Sequence, residues 1–303
     1  MPWWLAPFVV YLAPLLIFVG LFWVGTRRWE RPNKRSPLTR DLLRSPGESL
    51  RRQIDKLNDD LTTMILFPIS MPLLLYSFHQ ARVVAGVPST RSAEAFYLAF
   101  GLLLVAYFAF KAIRLAQKRR NLVLGYEAEC AVGQELSELL RDKYWVFHDV
   151  SFGAFNIDHV VVGRAGVFAV ETKGRAKPLG RNGRAGWEVT YDGATLRFPR
   201  WSETAPLDQA KRQASALERW LTSAVGETVA VKPVLALPGW YIKRVRPGGV
   251  PVFNGKNPAK FFPHLANGVL SDQLVTRIAH QLDQRCRDVA PCAYAKMPAA
   301  ATG

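Results

Sequence analysis

Residues 157–173 read Ile-Asp-His-Val-Val-Val-Gly-Arg-Ala-Gly-Val-Phe-Ala-Val-Glu-Thr-Lys, two apolar, β-branched runs on either side of Gly-Arg-Ala-Gly. The pattern predicts an antiparallel hairpin with a two-residue turn at Arg164 and Ala165. Pairing then runs outward from Gly163 with Gly166 until Asp158 faces Glu171. Cross-strand partners have Cβ atoms about 5 Å apart, where like charges repel. Lys173 lies two residues beyond Glu171 and so shares its strand face. Two facing carboxylates and an ammonium in such an apolar hairpin suit a divalent cation held by carboxylate oxygens. Two alternatives stay open. Both acids could be solvated hairpin ends, or a three-residue loop could slip the register by one and separate them.

The chain before this hairpin is dominated by three apolar runs. Residues 3–24 form an uninterrupted apolar stretch of 22 residues, with Trp3, Trp4 and Trp23 near its ends and Pro14 inside. About 20 apolar residues cross a bilayer, and membrane helices tolerate such a proline. A cleavable signal peptide carries its basic residues before the apolar run, whereas here Arg27, Arg28 and Arg31 follow it. A retained anchor is therefore expected. Further spans are expected at residues 61–81, where Pro68 and Pro72 weaken the pattern, and at 95–113. A buried pair of helices is the alternative for the second.

Charge orients these spans. The net charge is +16, and residues 1–121 hold 17 Lys and Arg against 7 Asp and Glu. Ten of those cations fall in residues 26–60, only Arg82 and Arg91 lie between the second and third runs, and Arg114, Lys118, Arg119 and Arg120 follow the third. By the positive-inside rule the 26–60 loop and everything after residue 114 are cytoplasmic. A multi-pass protein of a bacterial-type inner membrane follows, with its N-terminus outside. Ser45-Pro46-Gly47-Glu48 has the form of a capping box, and Leu50, Ile54, Leu57 and Leu61 then recur at helical spacing. That helix could lie on the anionic inner leaflet or pack on the soluble domain.

After residue 122 the chain alternates helix and strand. An amphipathic helix carrying Glu129 spans 125–140, a strand 145–150, a second hairpin turns at Asp192-Gly193, a helix covers 206–222, a strand 229–237, and a closing helix 271–286. Between the hairpins Arg175, Lys177, Arg181 and Arg184 are spread among glycines, in a loop suited to phosphate contacts or simply to solvent. Residues 288–303, rich in alanine and proline, have no period and are expected to be disordered. His159 should point away from Asp158, as a core histidine. Cys130, Cys286 and Cys292 lack zinc spacing, and Gly249–Lys256 departs from a phosphate loop by one extra residue and by Asn257 in place of Ser or Thr.

These residues resemble the nuclease-related domain, a branch of the PD-(D/E)xK nuclease superfamily. Asp158 is similar to its metal-binding aspartate and Glu171-Thr172-Lys173 to its Glu-x-Lys pair. Gly125-Tyr-Glu-Ala-Glu129 resembles the Gly-x-x-Gly-Glu start of its first helix, with Ala128 where glycine is usual. Pro206-Leu-Asp-Gln209 is similar to its Pro-x-x-Gln motif, with Ala205 where asparagine is common. The resemblance implies an α/β, restriction-endonuclease-like core, a mixed central sheet flanked by helices, over residues 122–287. It further implies Mg²⁺ or Mn²⁺ on Asp158 and Glu171, with Lys173, Glu129 and Gln209 acting beside them in phosphodiester hydrolysis. The expected partners are the lipid bilayer and nucleic acid, DNA favoured over RNA. The alternative on the same fold is a non-catalytic docking module, but such a module has no need to keep Asp, Glu and Lys together.

Overall fold

The computed structural model describes residues 17–24, 36–179, 186–266 and 269–292. It divides into two compact units, one of residues 1–37, 55–120 and 293–303, the other of residues 38–54 and 121–292.

The first unit is built on two long helices, α1 (Glu48–Val84) and α2 (Arg91–Leu136), which begin and end, respectively, in residues of the second unit. Among the described residues these are the two helices long and apolar enough to cross a membrane. Residues 17–24 are helical, and the rest of the first apolar run lies outside the described residues. Large apolar side chains stand bare along both helices, Ile69 at 66% and Leu103 at 71% exposure among them. Phe67 meets Phe108 with ring centroids 5.1 Å apart, and Pro68 and Pro72 sit inside α1 without ending it.

The helices expected separately near residues 50–61 and 125–140 are continuous with the apolar runs. Residues 48–67 and 102–124 contain neither glycine nor proline, so nothing in the backbone stops either helix. The Ser45–Glu48 box forms through its side chains, with Ser45 Oγ donating to Glu48 Oε2 at 2.9 Å. Gly47, at φ +69°, delays the helix to Glu48.

The second unit is a mixed α/β domain. Its strands are β1 (Leu42–Leu43), β2 (Trp145–Ser151), β3 (Asn156–Gly163), β4 (Gly166–Thr172), β5 (Glu188–Tyr191), β6 (Leu196–Arg197), β7 (Ser202–Glu203), β8 (Val231–Ala236), β9 (Tyr241–Arg244), β10 (Val252–Phe253) and β11 (Arg287–Val289). Its further helices are α3 (Ala205–Val225), α4 (Pro258–Phe261) and α5 (Asp272–Cys286), the last capped by Ser271 Oγ, which accepts from the Leu274 amide. The central sheet runs β10-β8-β4-β3-β2. Its β2-β3-β4 meander is antiparallel, while β4, β8 and β10 are parallel. A smaller sheet runs β7-β6-β5-β9.

Alternation sorts the central strands onto two cores. Val160, Val162, Val167 and Ala169 pack with Ala214, Leu217 and Leu221 of α3 and Ile278 and Leu282 of α5. Val161, Phe168 and Val170 pack on the other face with Val132 and Leu136 of α2 and with Phe262. Each fully buried Val, Leu, Ile or Phe among them contributes about 1.5–3 kcal/mol. A β3–β4 hairpin covered on both faces cannot shift by one residue without exchanging its cores.

Residues 38–54, grouped by sequence with the membrane region, fall in this unit because they are tied to it. β1 pairs with β11. Arg44 donates to Asp149 (3.2 Å) and to Asp288 (2.6 and 2.7 Å). Ser49 donates to the buried Asp149 carboxylate from both N (2.9 Å) and Oγ (2.7 Å). The same contacts order the chain through Val289, inside the stretch expected to be a disordered tail; residues 293–303 lie outside the described residues.

Candidate functional site

The hairpin register is Gly163 with Gly166, Val162 with Val167, and so on to His159 with Val170. The β3–β4 ladder stops there; one further step in the same register would set Asp158 opposite Glu171, at the sheet end where β4 pairs Glu171 with Leu235 of β8. Asp158 Oδ2 accepts from the Thr172 amide at 2.6 Å, which fixes the carboxylate over the strand end. Glu171 is 1% exposed. One of its oxygens is ion-paired with Lys173 Nζ, and the other is buried without a partner. Lys173 is itself anchored by its amide, which donates to Ala236 O at 2.9 Å. Strand periodicity thus brings all three charges to one place.

Two helices complete the site. Near its end α2 carries Glu129, buried at 8% exposure, and the first turns of α3 carry Gln209. Glu129, Asp158, Glu171, Lys173 and Gln209 all line one cleft of 490 Å³. Close approach depends on Gly174: a Cβ there would lie 2.7 Å from Leu124 O and 3.0 Å from the Ala128 Cβ. The chain leaving the Glu-Thr-Lys strand can therefore run against α2 only as glycine.

Crowding raises the pKa of two of these acids. Burial first, then Asp149 and Glu171, pushes the Glu129 carboxyl up to about 8. Burial, Glu171 and Glu129 likewise raise the Asp158 carboxyl well above the usual range, against the pull of the Thr172 amide and Lys173. Both shifts follow from packing several carboxylates into one partly dry cleft. Among the described residues no three or more His, Cys, Asp and Glu side chains are gathered so as to hold a metal ion by themselves. A pair of carboxylates with open positions is nevertheless a donor set that Mg²⁺ accepts, since that ion keeps several waters. The partnerless Glu171 oxygen is the buried atom such an ion would satisfy.

The basic loop is only partly in view. Arg175 lines the cleft, but its fork is held by Glu203 through two bonds of 2.9 Å. Lys177 Nζ lies 5.9 Å from the Trp240 ring centroid. Arg181 and Arg184 lie outside the described residues.

Sequence reasoning missed the supports of the site. Ser49, Leu50 and Gln53 of α1 line the cleft, as do Asn121 and Asn156. Asn156 Nδ2 donates to Asp149 Oδ1 (2.9 Å), and Gln213 Nε2 to Asn156 O (3.0 Å). Gln213 sits one helical turn past Gln209, a spacing that was readable. The contacts of Arg44 and Ser49 with Asp149 were not, because they join residues 100 or more positions apart.

His159 does face away from Asp158. It is fully buried, with its Nδ1 2.9 Å from His148 Nδ1 across β2 and β3. Burial lowers the His148 pKa to about 4, and burial with His148 beside it holds His159 well below its usual value. Cys130, Cys286 and Cys292 are free thiols.

No curated protein and no solved structure matches this chain. Residues 124–238 match the family model described as the nuclease-related domain. The matched stretch contains Glu129, Asp158, Glu171, Lys173 and Gln209, and lacks Ser49, Leu50 and Gln53. The part of the chain that supplies the acids, the lysine and the glutamine of the cleft is a nuclease-related domain.

Proposed function

We propose that this chain is a membrane-anchored, divalent-metal-dependent nuclease that hydrolyses phosphodiester bonds of nucleic acid, DNA rather than RNA. One observation carries the reading: Asp158, Glu171, Lys173, Glu129 and Gln209, drawn from a hairpin and two helices, line a single cleft in which one Glu171 oxygen is buried without a partner. The mixed sheet with helices on both faces supports a restriction-endonuclease-like core.

Asp158 and Glu171 would hold Mg²⁺ or Mn²⁺. When bound, such an ion neutralises charge on the scissile phosphate and acidifies a water. The chain's own groups supply the rest. The Thr172 amide orients Asp158. Lys173 places an ammonium beside the carboxylates, where it can position a water or meet charge growing on phosphoryl oxygens. Glu129, with its carboxyl raised to about 8, holds a proton at neutral pH in the metal-free protein. Gln209 offers a neutral donor and acceptor from α3.

The apolar helices and the charge asymmetry support a multi-pass protein of a bacterial-type inner membrane. Its N-terminus would be outside and the nuclease-related domain cytoplasmic.

The docking-module reading is favoured by two features: Lys173 occupies one oxygen of Glu171, and Glu203 occupies the Arg175 fork. A cleavage assay separates the two readings. The full chain in detergent should cut DNA with Mg²⁺ or Mn²⁺ and not with chelator, and Asp158→Asn should abolish cutting. A folded parent that cuts nothing with either metal supports the docking module. Residues 121–292 alone are unsuited to the assay, since they omit Arg44, Ser49 and Gln53.

A further inference from the structure

A second groove in the same compact unit, lined by residues that follow the family match, shares no residue with the cleft. It has a volume of 490 Å³ and is bordered by β9 on one side and by the β10–α4 segment on the other. Arg244, Lys256, Lys260 and His264 line it, and no Asp or Glu does. Several cations elsewhere in this unit are neutralised by neighbours: Arg44 by Asp149 and Asp288, Arg175 by Glu203, Lys243 by Glu188, Arg287 by Asp283. Among the described residues no carboxylate lies within ion-pair distance of Arg244, Lys256 or Lys260. Arg244 is instead stationed over the Tyr191 ring, 5.4 Å from its centroid.

At the edge of this groove two large rings are left in water. Tyr241, which lines it, is 55% exposed, and Trp187 beside it is 58% exposed. Their centroids are 5.2 Å apart, and the Tyr241 amide donates to Trp187 O at 2.8 Å, so the backbone of the small sheet fixes the pair. β9 is the edge strand of that sheet, so its outer side is free of a neighbouring strand.

We propose that this groove is a second nucleic-acid contact that takes a single strand, with phosphates on Arg244, Lys256 and Lys260 and a base against Tyr241 and Trp187. It deepens the nuclease reading, and rests on it, by naming the form of the substrate. Cations track a phosphate backbone without regard to sequence, and exposed rings stack unpaired bases. A duplex keeps its base faces covered. A bilayer presents a broad surface, whereas these cations line a concavity.

The test uses the full chain in nanodiscs of zwitterionic lipid with excess chelator, so that binding is read without cutting. Anisotropy of a fluorescent single-stranded oligonucleotide is measured against salt. The Arg244→Gln, Lys256→Gln, Lys260→Gln triple variant should bind at least tenfold more weakly, and its slope of log affinity against log salt should fall by about 2, since each single-strand phosphate contact contributes about 0.7. Tyr241→Leu should weaken single-strand binding roughly tenfold with the slope unchanged, and leave duplex binding alone.

Parental affinity and slope in the triple variant would overturn the proposal. So would equal loss for duplex and single strand with Tyr241→Leu silent. Unchanged oligonucleotide binding with weakened binding of a short-chain anionic phospholipid would make the groove a lipid-headgroup site, and overturn it too. If the groove fails while the metal-dependent cleavage persists, the nuclease reading stands. If the parent never cleaves but its binding depends on these residues, the groove stands and the nuclease reading falls.

Discussion

Lys173 and Glu171 are each other's charge partners, and Glu171 is nearly sealed from water. Lys173→Met should therefore abolish cleavage, keep most nucleic-acid binding, and lower the melting temperature in chelator, because the buried Glu171 charge is left uncompensated. Adding Mg²⁺ should recover part of that loss. A variant that cuts normally, measured by oligonucleotide cleavage, would remove Lys173 from the chemistry. Asp158→Asn tests the facing pair differently. It relieves repulsion and loses metal affinity together, so in chelator it should melt at or above the parent. Mg²⁺ or Mn²⁺ should then stabilise the parent much more than the variant, by about 2.7 kcal/mol at a hundredfold excess over the dissociation constant. The Glu129 carboxyl has a defined pH signature. Its pKa rises from the ordinary glutamate value of 4.5 to about 8 here, so between those values the folded protein binds more protons than the unfolded chain. Stability must then fall as pH rises through that window and level off above it. In chelator, denaturation from pH 5 to 8.5 should show the parent losing stability relative to Glu129→Gln.

At the scale of elements, two kinds of periodicity do different work. The period of two in β3 and β4 sorts valines onto two cores and leaves Asp158, Glu171 and Lys173 on one strand face at the sheet end. Helical periodicity presents Glu129 and Gln209 to the same cleft while Val132, Leu136, Ala214 and Leu217 are buried. The residues 38–54 are bound to the domain chiefly through Arg44, whose side chain is 10% exposed and bridges Asp149, at 2%, to Asp288. Arg44→Ala leaves a buried carboxylate short of its cation and should destabilise the domain by about 3 kcal/mol. Because Asp149 also receives Ser49 and Asn156, the same change should loosen the wall of the cleft made by Ser49, Leu50 and Gln53. Denaturant titration reads the first effect. A rise in KM with little change in kcat reads the second.

For the whole molecule, the distribution of cations is the controlling quantity. Residues 26–60 hold ten Lys and Arg, and the loop between α1 and α2 has none, an asymmetry that insertion machinery reads as orientation. A reporter active only in the cytoplasm, fused after Asp288, should be active, and one active only after export should be silent. The reverse result would invert the proposed topology.

Local pattern was enough for the hairpin, its register from Gly163–Gly166 to His159–Val170, the Asp192-Gly193 turn and helices α3 and α5. Each rests on interactions within a few residues or between adjacent strands, where period, turn chemistry and capping leave few choices. Helix boundaries near residues 61 and 125 were misplaced for the same reason, since local pattern shows a change of environment and not a break in the backbone. Long-range packing was hidden. Nothing near Asp149 shows that Arg44 will pair with it and Ser49 donate to it, nothing near Arg175 that Glu203 will occupy its fork, and nothing in Leu50 or Gln53 that they will form part of the cleft. Partners 28 to 105 residues apart meet only when the sheet and its helices have assembled, and the burial that gives those contacts their strength arises in the same step.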